Sequence, residues 1–188
     1  MSIRETGFLV YDEQPLKSIV PLIYKSAPEV DEATVAEEDG QNSRASRVSW
    51  ITPAEPHANE ILEGIWPIIN DANAHARWNF DLSWLEPLQF TKYTIEERYD
   101  WHVDTLLHLA SDDDVRKLSF SVLLNDEFEG GEFELEPGSP GTPNRIQTLD
   151  MKAGDVVVFP SYMWHRVKPV TSGERHSLVG WVHGPNWR

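Results

Sequence analysis

The chain has 188 residues and a formal charge of −15, from 16 Lys and Arg against 31 Asp and Glu. It contains no cysteine, which excludes a disulfide framework, thiolate zinc sites and a cysteine nucleophile together. A surface this acidic repels phosphate, so nucleic acid is not an expected partner, and no run of about 18 apolar residues is present to span a membrane.

The length fits a single domain, 1–188, large enough to fold without a metal staple, so any metal is expected to be functional. Absence of cysteine and of a basic n-region before an apolar stretch in MSIRETGFLVYDEQP gives a cytoplasmic address as the expectation. Composition carries no signal for oligomeric state. The acidic clusters at 29–39, 112–114 and 126–136 read as solvated faces or edges, with attraction of a basic peptide as the alternative.

In chain order, Pro15 followed by Leu16, Ile19, Val20 and Ile23 predicts a short amphipathic helix beginning at the proline. Residues 29–45 are acidic and polar without periodicity and are expected to be a mobile loop. A second helix is predicted after Pro56, where Ile61, Leu62, Ile65, Ile69 and Ala72 share a face, with Pro67 expected to kink or split it. These elements make 1–84 a helical support region and 85–188 a β-rich core.

From about Gln89 the pattern becomes short strands separated by Gly, Pro and Asp. Leu118, Phe120, Val122 and Leu124 alternate with Ser119, Ser121 and Asn125, which predicts a half-buried strand. Gly130 and Gly131 read as a tight turn or bulge joining two strands. Val156 to Phe159 predict an apolar core strand and Ser177 to Val182 another. The expected fold is mainly β with flanking helices: a double-stranded β-helix, or cupin-like jelly roll, with N-terminal helices packed on one sheet.

The sharpest local signal is Tyr99-Asp100-Trp101-His102-Val103-Asp104. Residues two apart on a strand project to one side, so His102 and Asp104 are able to offer a nitrogen and a carboxylate oxygen to one ion. Alone, the pair is weak evidence, and a satisfied histidine on a half-exposed strand is the commoner reading. The distal segment Ala153-Gly154-Asp155-Val156-Val157-Val158-Phe159-Pro160, with Trp164-His165-Arg166-Val167 after it, adds His165 at the end of an apolar strand. Two histidines and a carboxylate form a facial set that leaves three coordination positions open on Fe(II). Arg175 lies ten residues after His165, with Ser177 on the same side of its strand. That guanidinium and hydroxyl suit a carboxylate ligand.

This order of His-x-Asp, distal His and Arg-x-Ser resembles the Fe(II)/2-oxoglutarate-dependent dioxygenases, and within them the prolyl 4-hydroxylase-like branch. The stretches that carry it are LQFTKYTIEERYDWHVD, KLSFSVLLNDEFEGGEFEL and MKAGDVVVFPSYMWHRVKPVTSGERHSLVGW, with SRVSWI and WNFDL upstream. The resemblance implies that His102, Asp104 and His165 hold iron and that Arg175 grips the distal carboxylate of 2-oxoglutarate, with Ser177 as helper. Tyr93 matches a tyrosine reaching toward cosubstrate or substrate, although a packed core tyrosine fits the sequence too. Trp181 matches a bulky position beside the site, and a core role fits it as well.

The resemblance further implies O₂ as cosubstrate, succinate and CO₂ as coproducts, ascorbate as reductant, and hydroxylation of a prolyl residue in a peptide or protein. A free amino acid or other small molecule is the alternative substrate, and a non-catalytic cupin-like metal module the remaining one. Asp104 argues against a halogenase, which lacks that carboxylate. Several relatives carry a tyrosine where this chain has Leu123, and Lys168, three residues after His165, is too near to share the role of Arg175.

The stretches 29–45 and 106–116 are the expected places for a lid. Tyr99, Trp101, Phe159, Tyr162, Trp164 and Trp181 are candidates for shielding the site. His108 reads as a loop histidine, His176 should point away from Arg175, His183 is a candidate for the entrance, and His57 and His75 flank a helix without a ligand partner. No phosphate-cradling glycine motif is present.

Overall fold

The computed structural model describes residues 7–36, 42–105, 114–138, 142–143 and 145–186. The chain begins with β1 (Leu9–Tyr11), α1 (Val20–Ser26), β2 (Asp31–Ala36), β3 (Asn42–Ile51) and α2 (Ala58–His75). It continues through β4 (Trp84–Leu85), β5 (Leu88–Tyr93), β6 (Arg98–His102), β7 (Asp114–Leu123), β8 (Phe128–Gly130) and β9 (Phe133–Leu135). The last elements are β10 (Gln147–Thr148), β11 (Val156–Pro160), β12 (His165–Val167), β13 (Val170–Gly173) and β14 (Arg175–Pro185).

Among the described residues, twelve strands form one curled antiparallel sheet in the order β1-β11-β7-β14-β5-β3-β6-β12-β9-β10, with β2 added to β3 and β4 to β14, while β8 pairs with β13 separately. This is a jelly roll with helices on one face, as expected from the sequence. β3 is the strand on which the sheet turns: Arg47 to Ile51 pair with β5, and Arg44 and Ala45 pair with β6. The β6 and β12 ladder faces β7 and β14 across the interior.

Alternation in the central strands explains both layers. Leu118, Phe120 and Val122 of β7, Val156 and Val158 of β11, Leu178 and Val182 of β14, and Leu88 and Phe90 of β5 join one apolar cluster with both helices. Their neighbours point the other way. Phe159 and Val157 join a second cluster with Phe8, Tyr93 and Phe133, and Ser121, Gln89, Ser177 and Trp181 line an interior cavity. From α2, Ile61, Ile65, Ile69 and Ala72 are buried; each such isoleucine contributes roughly 1.5–3 kcal/mol of transfer free energy. Gly180 is required here, because a Cβ would meet the Phe120 ring at 2.4 Å.

Several expectations change. α1 starts at Val20, with a proline in its first turn; this is Pro21, and Leu16 and Ile19 lie in the backbone turns that precede it. α2 is not split: Pro67 lies within it on the exposed side, and the carbonyl that proline leaves unpaired belongs to Glu63, an exposed residue. Residues 29–45 are not a loop in the parts described. Asp31–Ala36 form β2, paired along β3 from Asn42 to Val48. β2 is an edge, and edge strands carry charge without cost to a core, which is why composition concealed it.

β7 is buried on both faces rather than half-buried, with Ser119 fully covered. Gly130 and Gly131 both have positive φ and do join β8 to β9, but those strands pair elsewhere, β8 with β13 and β9 with β12. No helix among the described residues is long and apolar enough to cross a membrane.

Candidate active site

The antiparallel register of β12 on β6 sets His165 directly opposite His102. Asp104 lies just past the end of β6, not on it, in a bend where the Asp104 and Thr105 amides both donate to the Ser161 carbonyl at 2.9 and 3.0 Å. Strand alternation therefore does not account for its direction; this shared acceptor does. One ligand atom from each of His102, Asp104 and His165 lies within 4.8 Å of the others.

Hydrogen bonding fixes which atoms face inward. His102 Nδ1 lies 2.8 Å from the Asp100 carbonyl and His165 Nδ1 2.9 Å from the Met163 carbonyl. A carbonyl only accepts, so each Nδ1 carries the proton and each Nε2 presents a lone pair. His102 Nε2 lies 3.7 Å from Asp104 Oδ1, and His165 Nε2 3.5 Å from Asp104 Oδ2. Two lone pairs and a carboxylate facing one another are mutually repulsive unless a cation lies between them, so the donor set fits a divalent metal.

The surroundings hold that set in its metal-binding charge state. Burial, with the neighbouring His165, pushes His102 down to about 3 against the ordinary 6.5, so the ring is neutral. Burial alone would raise the Asp104 carboxyl, but His165, His102 and the Ser119 hydroxyl together hold it below its ordinary value. Ser119 Oγ donates to Asp104 Oδ2 at 2.7 Å and lies 2.9 Å from Ser161 Oγ. Because the Ser119 proton is committed to the carboxylate, Ser161 is the donor of that second pair. The Tyr99 ring stacks on His102 at 3.5 Å, and Phe159 packs 4.7 Å from His165.

The cavity over these residues holds about 270 Å³ and is also lined by Tyr93, Tyr99, Phe133, Phe159, Ser177 and Trp181. Tyr93 and Ser177 thus line the same cavity as His102, Asp104 and His165. Arg175 begins β14 opposite Tyr93, with its guanidinium carbon 5.7 Å from the Tyr93 ring centroid. It is 2% exposed, and its Nη1 is buried without a hydrogen bond. Its side chain lines an adjoining cavity of about 460 Å³ together with Leu123 and Gly131, and Phe133 lines both cavities. Gly131 is glycine for this side chain, since a Cβ would lie 2.9 Å from Arg175 Cδ. A buried guanidinium with a free N–H fits a carboxylate ligand.

Other predicted residues fall elsewhere. Lys168 pairs with Glu132. His183 is bonded to Glu86 at 2.6 Å and stacks on Trp84. His176 accepts or donates at Tyr24, His57 faces Glu60 and His75 faces Asp71. His108 and 106–113 of the expected lid lie outside the described residues. Of the aromatics expected to shield the site, Tyr99, Phe159 and Trp181 line it. Trp101 of β6 and Trp164, just before β12, line a separate groove, and Tyr162 is 46% exposed.

Residues the sequence did not point to also line the cavity: Arg44, Trp50, Gln89, Arg116 and Ser121. Arg116 donates to both Glu86 carboxylate oxygens at 2.6 and 2.8 Å and lies 4.2 Å from the Trp181 ring. Only the polar alternation of β7 hinted at an inward-facing second side.

The chain is similar to several known proteins. A PKHD-type hydroxylase of Hyphomonas neptunium is 34% identical over 108 residues, covering 53% of this chain and 46% of its own. Another from Synechococcus sp. (strain CC9605) is 39% identical over 88 residues, 46% of this chain and 36% of its own. The chain thus spans about half the length, or less, of these curated relatives. A Pseudomonas putida prolyl-4-hydroxylase crystal structure superposes with a TM-score of 0.67 at 22% identity, covering 94% of this chain and 91% of the other. The viral collagen prolyl hydroxylase of Paramecium Bursaria Chlorella virus-1, solved as a 2OG complex, gives 0.67 at 18% identity over 95% and 96%. At these identities the two structures establish the jelly-roll fold. The 2OG-Fe(II) oxygenase superfamily model matches residues 88–183, which contain every residue of the His–Asp–His cluster as well as Arg175, and the chain belongs to that family of iron- and 2-oxoglutarate-dependent enzymes.

Proposed function

We propose that this chain is a prolyl 4-hydroxylase-like enzyme, hydroxylating an unactivated C–H bond of a prolyl residue in a peptide or protein. The observation that carries the reading is the convergence of two Nε2 lone pairs and the Asp104 carboxylate beside a buried Arg175 with a free N–H. In it, His102, Asp104 and His165 hold Fe(II), Arg175 holds the distal carboxylate of 2-oxoglutarate, and Ser177 and Tyr93 line that end. Bound iron and 2-oxoglutarate supply the oxidative decarboxylation by O₂ that yields succinate, CO₂ and the hydroxyl group.

The chain's own residues orient and exclude. The Asp100 and Met163 carbonyls fix the imidazole tautomers, and Ser119 fixes one oxygen of Asp104. Tyr99, Phe159 and Trp181 keep water from the reacting face. Similarity to the hydroxylases named above supports the prolyl reading. A structure of a Trichoplax adhaerens prolyl hydroxylase holding a peptide fragment also shares the fold, with a TM-score of 0.63. The small volume of the cavity, about 270 Å³, favours a second reading in which a free amino acid is the substrate.

Succinate formation from 2-oxoglutarate, with Fe(II) and ascorbate, tests this. Oxygen-dependent turnover is expected, lost in His102→Ala, weakened at limiting 2-oxoglutarate in Arg175→Ala, and stimulated by proline-rich peptides. Metal binding without turnover under any of these conditions would overturn the enzymatic reading in favour of a metal-binding module.

A further inference from the structure

The charges on the wall of the site do not balance, and the excess is specific. Arg116 is neutralised by Glu86, the Asp104 carboxylate has its counter-charge in the metal and Arg175 its ligand in the cosubstrate, both on the reading above. Arg44 has no such counterpart. It lines the same cavity and is 9% exposed, yet its hydrogen bonds go to neutral acceptors, Nε to Ser46 Oγ and Nη2 to Gln89 Oε1, both at 2.8 Å. Among the described residues no carboxylate forms an ion pair with it. In a chain with nearly two acids for every base, a covered guanidinium without an acid is conspicuous, because a desolvated charge is costly unless an anion reaches it.

Its placement is built rather than incidental. Arg44 of β3 pairs with Tyr99 of β6, and its guanidinium carbon lies 4.9 Å from the Tyr99 ring centroid. That ring stacks on His102, so the cation stands two contacts from the proposed metal ligands. Gln89, which lines the same cavity, has its carbonyl oxygen committed to Arg44, with Thr91 Oγ1 3.3 Å from that oxygen.

We propose that Arg44, aimed by Gln89 and Ser46, is an anion-receiving subsite that takes a carboxylate carried by the substrate close to the carbon that is hydroxylated. This deepens the functional reading above and rests on it. The carboxylate belongs either to a free amino acid or to an acidic side chain or C-terminus of a peptide; both present the same planar pair of oxygens to a guanidinium fork. The acidic exterior and the cationic pocket then act in sequence: the surface disfavours polyanions, and the cavity accepts one small anionic group.

Binding to the full chain loaded anaerobically with Mn(II) and 2-oxoglutarate tests this by calorimetry. The probes are matched pairs: free proline against prolinamide, an acetylated peptide ending in proline as acid against amide, and a capped tetrapeptide with aspartate after proline against asparagine. In at least one pair the acid is expected to bind about tenfold more tightly, as one charge-assisted contact warrants, and the pair that responds identifies the source. Arg44→Gln should erase the ratio and Arg44→Lys should retain part of it. Should Arg44→Gln fail to fold, Gln89→Leu, which removes the group aiming the fork, should lower the ratio instead. A ratio near one in every pair, or one that survives these substitutions, overturns the subsite. Binding of 2-oxoglutarate alone to the Mn(II)-loaded chain is read separately: its absence, or its indifference to Arg175→Ala, overturns the functional reading itself.

Discussion

The two faces of the strands β11, β7, β14 and β5 are made of the same backbone and do opposite work. Toward the helices they present Val156, Val158, Leu118, Phe120, Val122, Leu178, Leu88 and Phe90, an apolar layer closed by Ile61, Ile65 and Ile69 of α2. Toward the interior the intervening residues include Ser119, Ser121, Ser177, Gln89 and Trp181, beside Val157 and Phe159 of β11. One face is held by area removed from water; the other holds polar groups in fixed directions through hydrogen bonds. Period-two alternation lets a single ladder serve both, so a substitution on one face should leave the other largely intact.

The sharpest test of that separation is His102→Ala, expected to abolish turnover with no loss of thermal stability in the metal-free protein, because it relieves a crowded cluster; oxygen consumption and calorimetry read the two quantities. Arg175→Ala should come next, raising the KM for 2-oxoglutarate roughly 10- to 150-fold through loss of charge-assisted hydrogen bonds. Ser119→Ala, which removes the donor to Asp104, should weaken metal binding about 10- to 100-fold, as outer partners of metal ligands do, measured by competition with a chelator.

The opposite face should respond in the opposite currency. Ile65→Ala is expected to cost about 2–5 kcal/mol of stability, seen as a lower denaturation midpoint, while kcat per folded molecule stays within twofold. Last comes the pH response of the metal-free chain. His102 takes its proton at about 3 when folded against 6.5 as an ordinary histidine, so the unfolded chain binds more protons in that window and stability falls as pH drops through it. Asp104, held below its ordinary value, adds to the same loss at lower pH. His102→Gln should flatten the upper part of the profile.

Much of the functional face was legible because its determinants are local in sequence. His102 with Asp104, His165, and Arg175 with Ser177 are short motifs, and the strands that carry them are marked by apolar runs such as Val156 to Phe159. What was not legible depends on register between distant segments. Arg44 enters the site only because β3 pairs with β6, and Gln89 only because β5 lies between β3 and β14. The β2–β3 hairpin was hidden by charge, since polar edge strands and loops share a composition. The direction of Asp104 comes from a carbonyl 57 positions later, as Ser161 accepts from its amide, and no local pattern encodes that.

Ser161 also has a wider consequence. It is fully buried, its amide donates to the Lys117 carbonyl, its carbonyl holds the bend at Asp104, and its hydroxyl reaches Ser119. It lies four residues before His165, in the turn that leads from β11 to β12. The loop that delivers one ligand is therefore stitched to the bend that delivers another before any ion arrives. Such a socket is cast rather than gathered: its dimensions come from the protein, so ions should be sorted by size and preferred distance, and replacing the ion should disturb the surrounding backbone very little.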